Sequence, residues 1–421
     1  MGSIREVLRG NLLVFTVGDV LRQLSMFITF PFLSLYVQAL GGGVVEIGLV
    51  NGLRPLSSFF LYPVAGYVSD RFSRVRVVWV VGVVSGVLWL LFAYAPDWRW
   101  LAVGNLLMGL MAFYFPAANS LMAESIPRGR RGLGYGVWQA VPMAVGVVAP
   151  LAGGALIGAW GVERAMRFLF RLTCVVNLGI AAMNRAFLRD EGGGKAGGVG
   201  GGLVGVLVES YRASLEVLRG LPRGLRGFAF MLVLGFFFNS MVSGFWVVHF
   251  VGVRGFSEVE WGRVLMAASA LNVALLLPAG AVVDRVGAAR ALTAALAASA
   301  VPVALFPFQR RLAAITLLLL WVSVANSFLM AGAPAYMAGA TSPERRGTVM
   351  SALGQGMLLV NLRGGGAGGP GMGALLTLPS VLGSVVGGFF YGWRPESLWV
   401  LYGVALAVSA WVGYRSLDRG V

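Results

Sequence analysis

Twelve runs of mainly apolar residues follow one another along this chain of 421 residues, and all but one have the length of a single membrane-spanning helix. A helix needs about 20 such residues to cross the hydrocarbon core of a bilayer. Hydrophobic residues make up 58% of the chain and charged residues 12%, whereas soluble domains carry about 25% charged residues. The chain is therefore predicted to be an all-α membrane protein whose solvent is the lipid bilayer.

The predicted spans cover residues 11–37, 43–69, 77–95, 99–123, 133–158, 165–187, 227–252, 259–283, 288–307, 312–339, 347–392 and 396–414. The eleventh is too long for one helix, and it contains Asn361, Arg363 and a glycine-rich run from Gly364 to Pro370. A broken helix or a re-entrant segment is expected there. Such backbone survives at membrane depth only where it is buried in protein or faces water.

The chain is duplicated at a constant offset between its two halves. Gly-Tyr-Val-Ser-Asp-Arg starts at Gly66, and Gly-Ala-Val-Val-Asp-Arg starts at Gly280. The same offset extends upstream, where Gly41, Glu46 and Gly48 correspond to Gly255, Glu260 and Gly262. Internal duplication is the construction of many secondary transporters, so solute transport is the first hypothesis.

Three segments follow from this duplication: an N-terminal six-helix bundle (1–187), a linker (188–226) and a C-terminal six-helix bundle (227–421). The linker holds a glycine-rich stretch, 192–202, and then an amphipathic pattern over 203–218 that is typical of a helix lying on the membrane surface.

The distribution of basic residues indicates the orientation in the membrane. With both termini inside, the inner loops and tails hold 21 of the 33 Lys and Arg residues and the outer loops hold eight. This asymmetry predicts cytoplasmic termini in a multi-pass protein of the inner (plasma) membrane.

Several functions are excluded by composition. The net charge of +16 comes from short arginine clusters between apolar runs, so nucleic acid is not expected as a partner. Cys174 and His249 are the only cysteine and histidine, which argues against a metal site, and His249 is given no role. No G-x-x-x-x-G-K-[ST] loop is present. We therefore expect no cofactor, with a proton gradient as the driving force.

The loops after spans two and eight resemble the signature G-x-L-x-D-R-x-G-R-R/K of the major facilitator superfamily. The matching residues are Gly66, Asp70, Arg71 and Arg74 in the first copy, and Gly280, Asp284 and Arg285 in the second. The resemblance covers essentially the whole chain and implies two pseudo-symmetric bundles that alternate access to a central cavity. It also implies a charge network of Asp70, Arg74 and Glu124 that latches the bundles in one state. The alternative is that Asp70 caps a helix and the arginines fix topology.

The end of span five is similar to the motif G-x-x-x-G-P-x-x-G-G of antiporters in that superfamily. Gly146, Pro150, Gly153 and Gly154 carry the match, which is one residue short before the proline. Gly369-Pro370-x-x-Gly373 is a similar trace in the other half. The resemblance implies an exporter, and ordinary packing of small residues is the alternative.

Charged residues well inside predicted spans, away from their ends, are Asp19, Arg22, Arg54 and Arg171, beside Arg363 in the long eleventh run. Asp19 is the only carboxylate well inside a span, and Arg22 lies three residues away on the same helix face. Burial of a carboxyl group disfavours its charged form, and a nearby arginine favours it. Asp19 and Arg22 are therefore the proton-coupling candidates, with a static ion pair as the alternative.

Other polar and aromatic residues in the spans are candidates for the wall of the substrate cavity. They are Arg54, Asn119, Gln139, Arg171, Asn239, Phe245 and Asn272. The arginines suit an anion unless they reach to the membrane surface. The amides also suit hydrogen bonds between helices, and aromatic walls suit apolar or cationic compounds.

The function predicted from these features is secondary active transport by a monomer with a small-molecule substrate. Proton-coupled efflux of small apolar or cationic compounds is the first hypothesis. A symporter or facilitator for a small metabolite or organic anion is the second. From another class, a non-transporting membrane sensor or scaffold is the third.

Overall fold

The structure is a computed structural model, and it describes residues 9–126, 131–189, 221, 223–341, 358–364 and 373–417, with isolated positions at 205, 208, 212, 349, 353 and 354. Within this part, twelve helices are long and apolar enough to cross a membrane. The predicted all-α membrane fold is confirmed. The end of the bundle where the first helix begins and the twelfth ends is called the termini end below, and the other is the opposite end.

The N-terminal half contains six helical elements, three of which are interrupted by a 3₁₀ turn near mid-membrane. Their bounds are α1 Gly10–Thr29 with Phe30–Phe32 and Leu33–Ala39, α2 Val44–Arg71, α3 Arg74–Ala93, α4 Trp98–Met108 with Gly109–Phe113 and Tyr114–Ser125, α5 Arg131–Val145 with Gly146–Val148 and Ala149–Trp160, and α6 Val162–Phe187. Turns of this kind inside a helix often mark hinges.

The C-terminal half repeats this order. Its bounds are α7 Arg223–Ser243 followed by a π-helical turn Val248–Val253, α8 Glu258–Val286, α9 Ala288–Leu305 with Phe306–Phe308, α10 Leu312–Ala340, α11 Ala374–Trp393 and α12 Ser397–Ser416. The helix α7 begins at Arg223, so the last residues of the predicted linker belong to it. Of the rest of the linker, the structure describes only residues 188, 189 and 221 and three helical positions at 205, 208 and 212.

The duplication is visible in backbone detail. Gly41 and Gly255 both adopt a left-handed conformation, with φ of +81° and +73°, which favours glycine. The carboxylates of Glu46 and Glu260 then accept hydrogen bonds from the backbone N–H groups of Gly43 and Ser257, at 2.9 and 2.8 Å. Each pair has the sequence offset of the duplicated motif, so α2 and α8 begin with the same capping arrangement.

The two halves meet closely near the opposite end, through α2 against α11 and α5 against α8. A Cβ atom on Gly48 would lie 2.4 Å from the carbonyl oxygen of Ser384, and one on Gly262 would lie 2.6 Å from that of Pro150. No side chain fits at such distances, so glycine is required at both register-matched positions. Gly280 on α8 and Gly136 on α5, nearer the termini end, have open space around them.

The eleventh predicted span is wrong in extent. Helix α11 covers only Ala374–Trp393, and residues 358–364 are non-helical. A Cβ atom on Gly235, in the middle of α7, would touch Leu358, whereas one on Gly364 would lie within 3.4 Å of the carbonyl oxygens of Ser243 and Phe30. The segment therefore rises through the middle of the bundle, while α10 ends and α11 begins at the termini end. The expected glycine-rich run beyond Gly364 lies outside the described residues.

Candidate functional site

Four side chains from three helices form a polar cluster in the N-terminal half. The carboxylate of Asp19 lies 3.1 Å from the guanidinium of Arg22 on the next turn of α1. Its other oxygen accepts a hydrogen bond from the indole Nε1–H of Trp138 on α5, at 2.5 Å. Arg22 donates to the hydroxyl of Tyr114 on α4 at 2.6 Å and lies over its ring at 4.4 Å.

This cluster lies at membrane depth yet is not sealed. Asp19 is near the middle of the first part of α1, and Tyr114 begins the last part of α4, so both lie about 14 to 17 Å from the termini end at about 1.5 Å per residue. The side chains of Asp19 and Arg22 retain 20% and 15% of their accessible surface. The carboxylate of Asp19 is thus partly accessible at membrane depth, and its partners there are a guanidinium group and an indole N–H.

A second charged group reaches the centre from the non-helical segment. The guanidinium of Arg363 lies 3.8 Å from the ring centroid of Phe27 on α1 and donates to the hydroxyl of Ser269 on α8 at 2.9 Å. Arg363 therefore touches both halves. Nearby, the guanidinium of Arg54 on α2 lies 5.7 Å from the ring centroid of Phe30, which follows Phe27 by one helical turn on α1.

The segment that carries Arg363 is held by buried amides. The side chain of Asn326 on α10 pairs with the backbone of Val360, donating to its carbonyl at 2.9 Å and accepting from its N–H at 2.8 Å. Asn239 on α7 accepts from the backbone N–H of Asn361 at 2.7 Å and from the hydroxyl of Tyr402 at 3.3 Å. These bonds satisfy backbone groups that a helix would satisfy internally, as the low dielectric of the membrane interior requires.

Three of the predicted cavity residues lie elsewhere. Arg171 is exposed on α6 and lies over the ring of Tyr94 near the opposite end, at 5.0 Å, because a long basic side chain reaches toward the membrane surface. Asn272 is buried between α8 and α10, where it donates to Ser323 and Ser327. Phe245 is 1% exposed and stacks on Tyr391, so it belongs to the core of the C-terminal half.

The remaining predicted cavity residues differ in their setting. Asn239 faces the non-helical segment, Arg54 faces the centre, and Asn119 is exposed on the last part of α4, beyond Tyr114. The side chain of Gln139 lies outside the described part of the structure.

The span-five glycines allow close helix contacts. Cβ atoms on Gly146 and Gly153 would lie 2.7 Å from the ring of Phe27 and 2.4 Å from the carbonyl oxygen of Ile28, both on α1. One on Gly154 would lie 2.3 Å from the carbonyl oxygen of Glu258 on α8. Pro150 follows the 3₁₀ turn and lies in the first turn of the last part of α5. The motif therefore joins α5 to both α1 and α8.

The counterparts of Gly153 and Gly154 in the other half are Gly387 and Gly388, which contact the backbones of α7 and α2. Gly153 and Gly387 are further apart in the sequence than Gly48 and Gly262, although both pairs are counterparts in the two copies. The C-terminal copy thus holds additional residues before α11, in the region that contains Arg363. The expected counterpart, Gly369-Pro370-x-x-Gly373, lies mostly outside the described residues.

At the termini end, Arg74 at the start of α3 forms an ion pair with Glu124 at the end of α4. Both residues belong to the N-terminal half, so this pair does not join the halves in the present conformation. Gly66, Asp70 and Arg71 lie in α2, and nothing is described of their side chains. Gly280, Asp284 and Arg285 lie near the end of α8, where the last two are exposed.

We expect the ion pair of Arg74 and Glu124 to contribute little to the folded stability of this conformation. Glu124 retains 44% of its accessible surface, and exposed pairs contribute about 0–1 kcal/mol. A double-mutant cycle of Arg74→Gln and Glu124→Gln, measured by denaturant unfolding, should therefore give a coupling free energy below about 1 kcal/mol. A coupling of several kcal/mol would contradict this.

Sequence reasoning missed four participants. Tyr114 and Trp138 complete the cluster around Asp19, and Phe27 and Ser269 hold Arg363. The only sign of Arg363 in the sequence is that it is a charged residue in an apolar run.

In the part of the chain that the structure describes, no group of three or more His, Cys, Asp and Glu side chains could hold a metal ion.

Comparisons with known proteins agree with this architecture. The family model described as Major Facilitator Superfamily matches residues 16–362. The "Multi-drug resistance efflux pump PmrA homolog" of Lactococcus lactis is 28% identical over 172 residues, which are 40% of this chain and 42% of that protein. "Multidrug resistance protein MdtG" of Yersinia enterocolitica is 29% identical over 187 residues, which are 43% of this chain and 44% of that protein. Each alignment thus spans less than half of the relative's length.

Among solved structures, a bacterial homologue of the human lysosomal transporter Spinster, in an inward-facing and occupied conformation, superimposes with a TM-score of 0.72. The superposition covers 97% of this chain and 96% of that one at 14% identity, so it supports the fold. Together, the twelve-helix fold and the polar groups at its centre define a multi-pass membrane transporter. The chain belongs to the Major Facilitator Superfamily.

Proposed function

We propose that this protein exports small organic compounds by alternating access, with proton entry through Asp19 as the driving reaction. The observation that carries the proposal is the bond of Asp19 to both Arg22 and Trp138 at mid-membrane. A carboxylate held by a cation and an N–H donor binds a proton when either partner moves away. Because the partners come from α1 and α5, rearrangement of these helices would change proton affinity.

Export is the direction supported by two observations. The relatives that are 28% and 29% identical are named as drug efflux or drug resistance proteins. The span-five glycines contact α1 and α8, so α5 can transmit a change at the proton site to the contact between the halves. The arginine distribution favours cytoplasmic termini in the plasma membrane, and the present conformation is then closed toward the outside.

The substrate class follows from the central side chains. Phe27 and Phe30 offer aromatic surface, which suits an apolar body. Cationic compounds would approach Arg54 and Arg363, whose charges repel them. Apolar or amphipathic compounds without a positive charge therefore fit better than the cations expected from aromatic content alone.

The experiment is a substrate screen in inverted membrane vesicles that carry a proton gradient, acid inside. Adding a transported compound should release protons, read with a pH-sensitive dye inside the vesicles. The same compound should accumulate in the vesicles and leave when a protonophore collapses the gradient. Vesicles without the protein are the control. Uptake that only reaches equal concentrations on both sides, with or without the protonophore, would reject proton coupling and support facilitated diffusion.

A further inference from the structure

We propose that Arg363 and Arg54 form a binding site for the anionic group of the transported compound, and that the additional residues before α11 supply half of this site. The inference rests on the proposed transport function, because it names the substrate class of the same central region. Anionic group here means a carboxylate, sulfonate or phosphonate on an apolar body.

The first argument is the balance of charge at mid-membrane. Among the residues that the structure describes, Asp19 is the only carboxylate well inside a membrane-spanning helix, and it is paired with Arg22. Among the described residues, Arg54 and Arg363 form no ion pair. Unpaired charges in a membrane interior are costly and generally serve a pathway or a ligand. Within the described part of the chain these two cations have no carboxylate partner, and an anionic ligand would balance them.

The second argument is convergence. Arg363 stacks on Phe27 and Arg54 lies over Phe30, and residues one turn apart on a helix share one face. Gly364, next to Arg363, lies against the backbone of Phe30. The two guanidinium groups thus approach the same face of α1 from opposite halves of the protein. Neither arginine is fully buried, so part of each side chain remains accessible.

The third argument is the chemistry of the groups present. A guanidinium group offers parallel N–H donors that match the oxygens of carboxylate, sulfonate or phosphonate. Arg363 uses one donor on Ser269 and has others for a ligand. The rings of Phe27 and Phe30 provide apolar surface beside the charges. The arrangement fits a compound with one anionic head and an aromatic or aliphatic body.

The fourth argument is that the backbone around Arg363 is fixed in place. The segment 358–364 is bonded through its backbone to Asn326 and Asn239, at 2.7 to 2.9 Å. Non-helical backbone at membrane depth must be satisfied by protein groups, and here those groups come from α7 and α10. The anchors place one arginine between the halves, in the region where the C-terminal copy is longer than its counterpart.

The test compares two probes that share a ring and differ in the sign of charge, naphthalene-2-sulfonate and (2-naphthyl)trimethylammonium. Binding to the purified full-length protein in detergent is measured by isothermal titration calorimetry, without any gradient. We expect the wild type to bind the sulfonate at least about tenfold more tightly than the ammonium probe. Arg363→Gln and Arg54→Gln should each weaken sulfonate binding by about tenfold or more, as expected for one charge-assisted contact.

Arg171→Gln is the matched control, because Arg171 also stacks on an aromatic ring but lies on the outer surface of α6; its sulfonate affinity should equal that of the wild type. Arg363→Lys should bind the sulfonate more tightly than Arg363→Gln.

A wild type that prefers the ammonium probe, binds both probes equally or binds neither would overturn the proposal, whether or not the variants fold. So would unchanged sulfonate affinity in both glutamine variants. Because no gradient is used, failed proton coupling would leave this result intact.

Discussion

Replacing Asp19 with asparagine should abolish proton-driven accumulation while the protein remains folded. Asparagine has nearly the same shape and can still accept the hydrogen bond from Trp138, but it neither carries a charge nor takes up a proton. Arg22 loses its carboxylate partner and keeps the hydroxyl and ring of Tyr114. The measurement is substrate accumulation in vesicles with and without a proton gradient.

The loss of stability should be moderate. Removing one partner of a buried ion pair costs about 3–5 kcal/mol when the other is left alone. Here Tyr114 remains, and both side chains of the pair are partly accessible, so the cost should be smaller. Thermal unfolding in detergent would separate a folded, uncoupled protein from an unfolded one.

Glu163→Gln is the matched control for this variant. It makes the corresponding change from carboxylate to amide in an ion pair with Arg167, one turn away on α6, where Glu163 is 52% exposed. Substrate accumulation by the Glu163→Gln variant should equal that of the wild type. If Asp19→Asn still accumulates substrate in response to the gradient, Asp19 forms a static ion pair and the proton enters elsewhere.

Replacing Gly262 with alanine should open the contact between the halves near the opposite end. The added Cβ atom would lie 2.6 Å from the carbonyl oxygen of Pro150 and 2.9 Å from the Cα atom of Leu151. Backbone atoms cannot swing aside as a flexible side chain can, so α5 and α8 must separate. Overpacking costs about 1–3 kcal/mol, and each step of about 1.4 kcal/mol is a tenfold change in equilibrium.

The readout for this variant is placed at the other contact. Ile47 on α2 is fully buried near Gly244, and Cys174, the one native cysteine, can be replaced by serine. In a protein that carries Cys174→Ser and Ile47→Cys, maleimide labelling of the new cysteine should become about tenfold faster when Gly262→Ala is added. Ile47 lies on α2 against Gly244 of the C-terminal half, a contact that involves neither α5 nor α8. Faster labelling there therefore reports rigid-body opening.

Gly179→Ala on α6 provides the comparison, since a Cβ atom there meets nothing within 4 Å. It adds the same methyl group to a helix, and labelling at position 47 should not change. Labelling that stays slow in Gly262→Ala would mean that α5 and α8 adjust locally, without movement of the two halves.

Much of the fold could be predicted because membrane helices have a strong hydropathy signal. Most spans are predicted within a few residues of the helices, and the offset that relates Gly48 to Gly262 predicts the duplication. That both glycines lie at contacts between the halves is visible only in the structure. The eleventh run shows what composition can and cannot give. Its length, Asn361, Arg363 and the glycine-rich run predict a break, but hydropathy does not say where helix α11 begins, and the predicted span therefore starts too early.

The site was harder to predict because hydropathy does not say which way a side chain faces. Arg171 and Arg363 both lie in apolar runs, yet one reaches the surface beside Tyr94 and the other contacts Phe27 at the centre. Asn239 and Asn272 are both buried amides, but Asn239 bonds the non-helical segment and Asn272 bonds serines of α10. Such distinctions depend on the angular arrangement of helices.

The extra residues of the C-terminal copy have an evolutionary consequence. The contact between the halves uses Gly48 and Gly262, which correspond in the two copies, whereas Arg363 lies in the region where the C-terminal copy is longer. Substitutions around Arg363 should therefore alter the proposed anion site without disturbing the glycine contacts between the halves. We expect this region to be where proteins that share those contacts can differ in the compounds they bind.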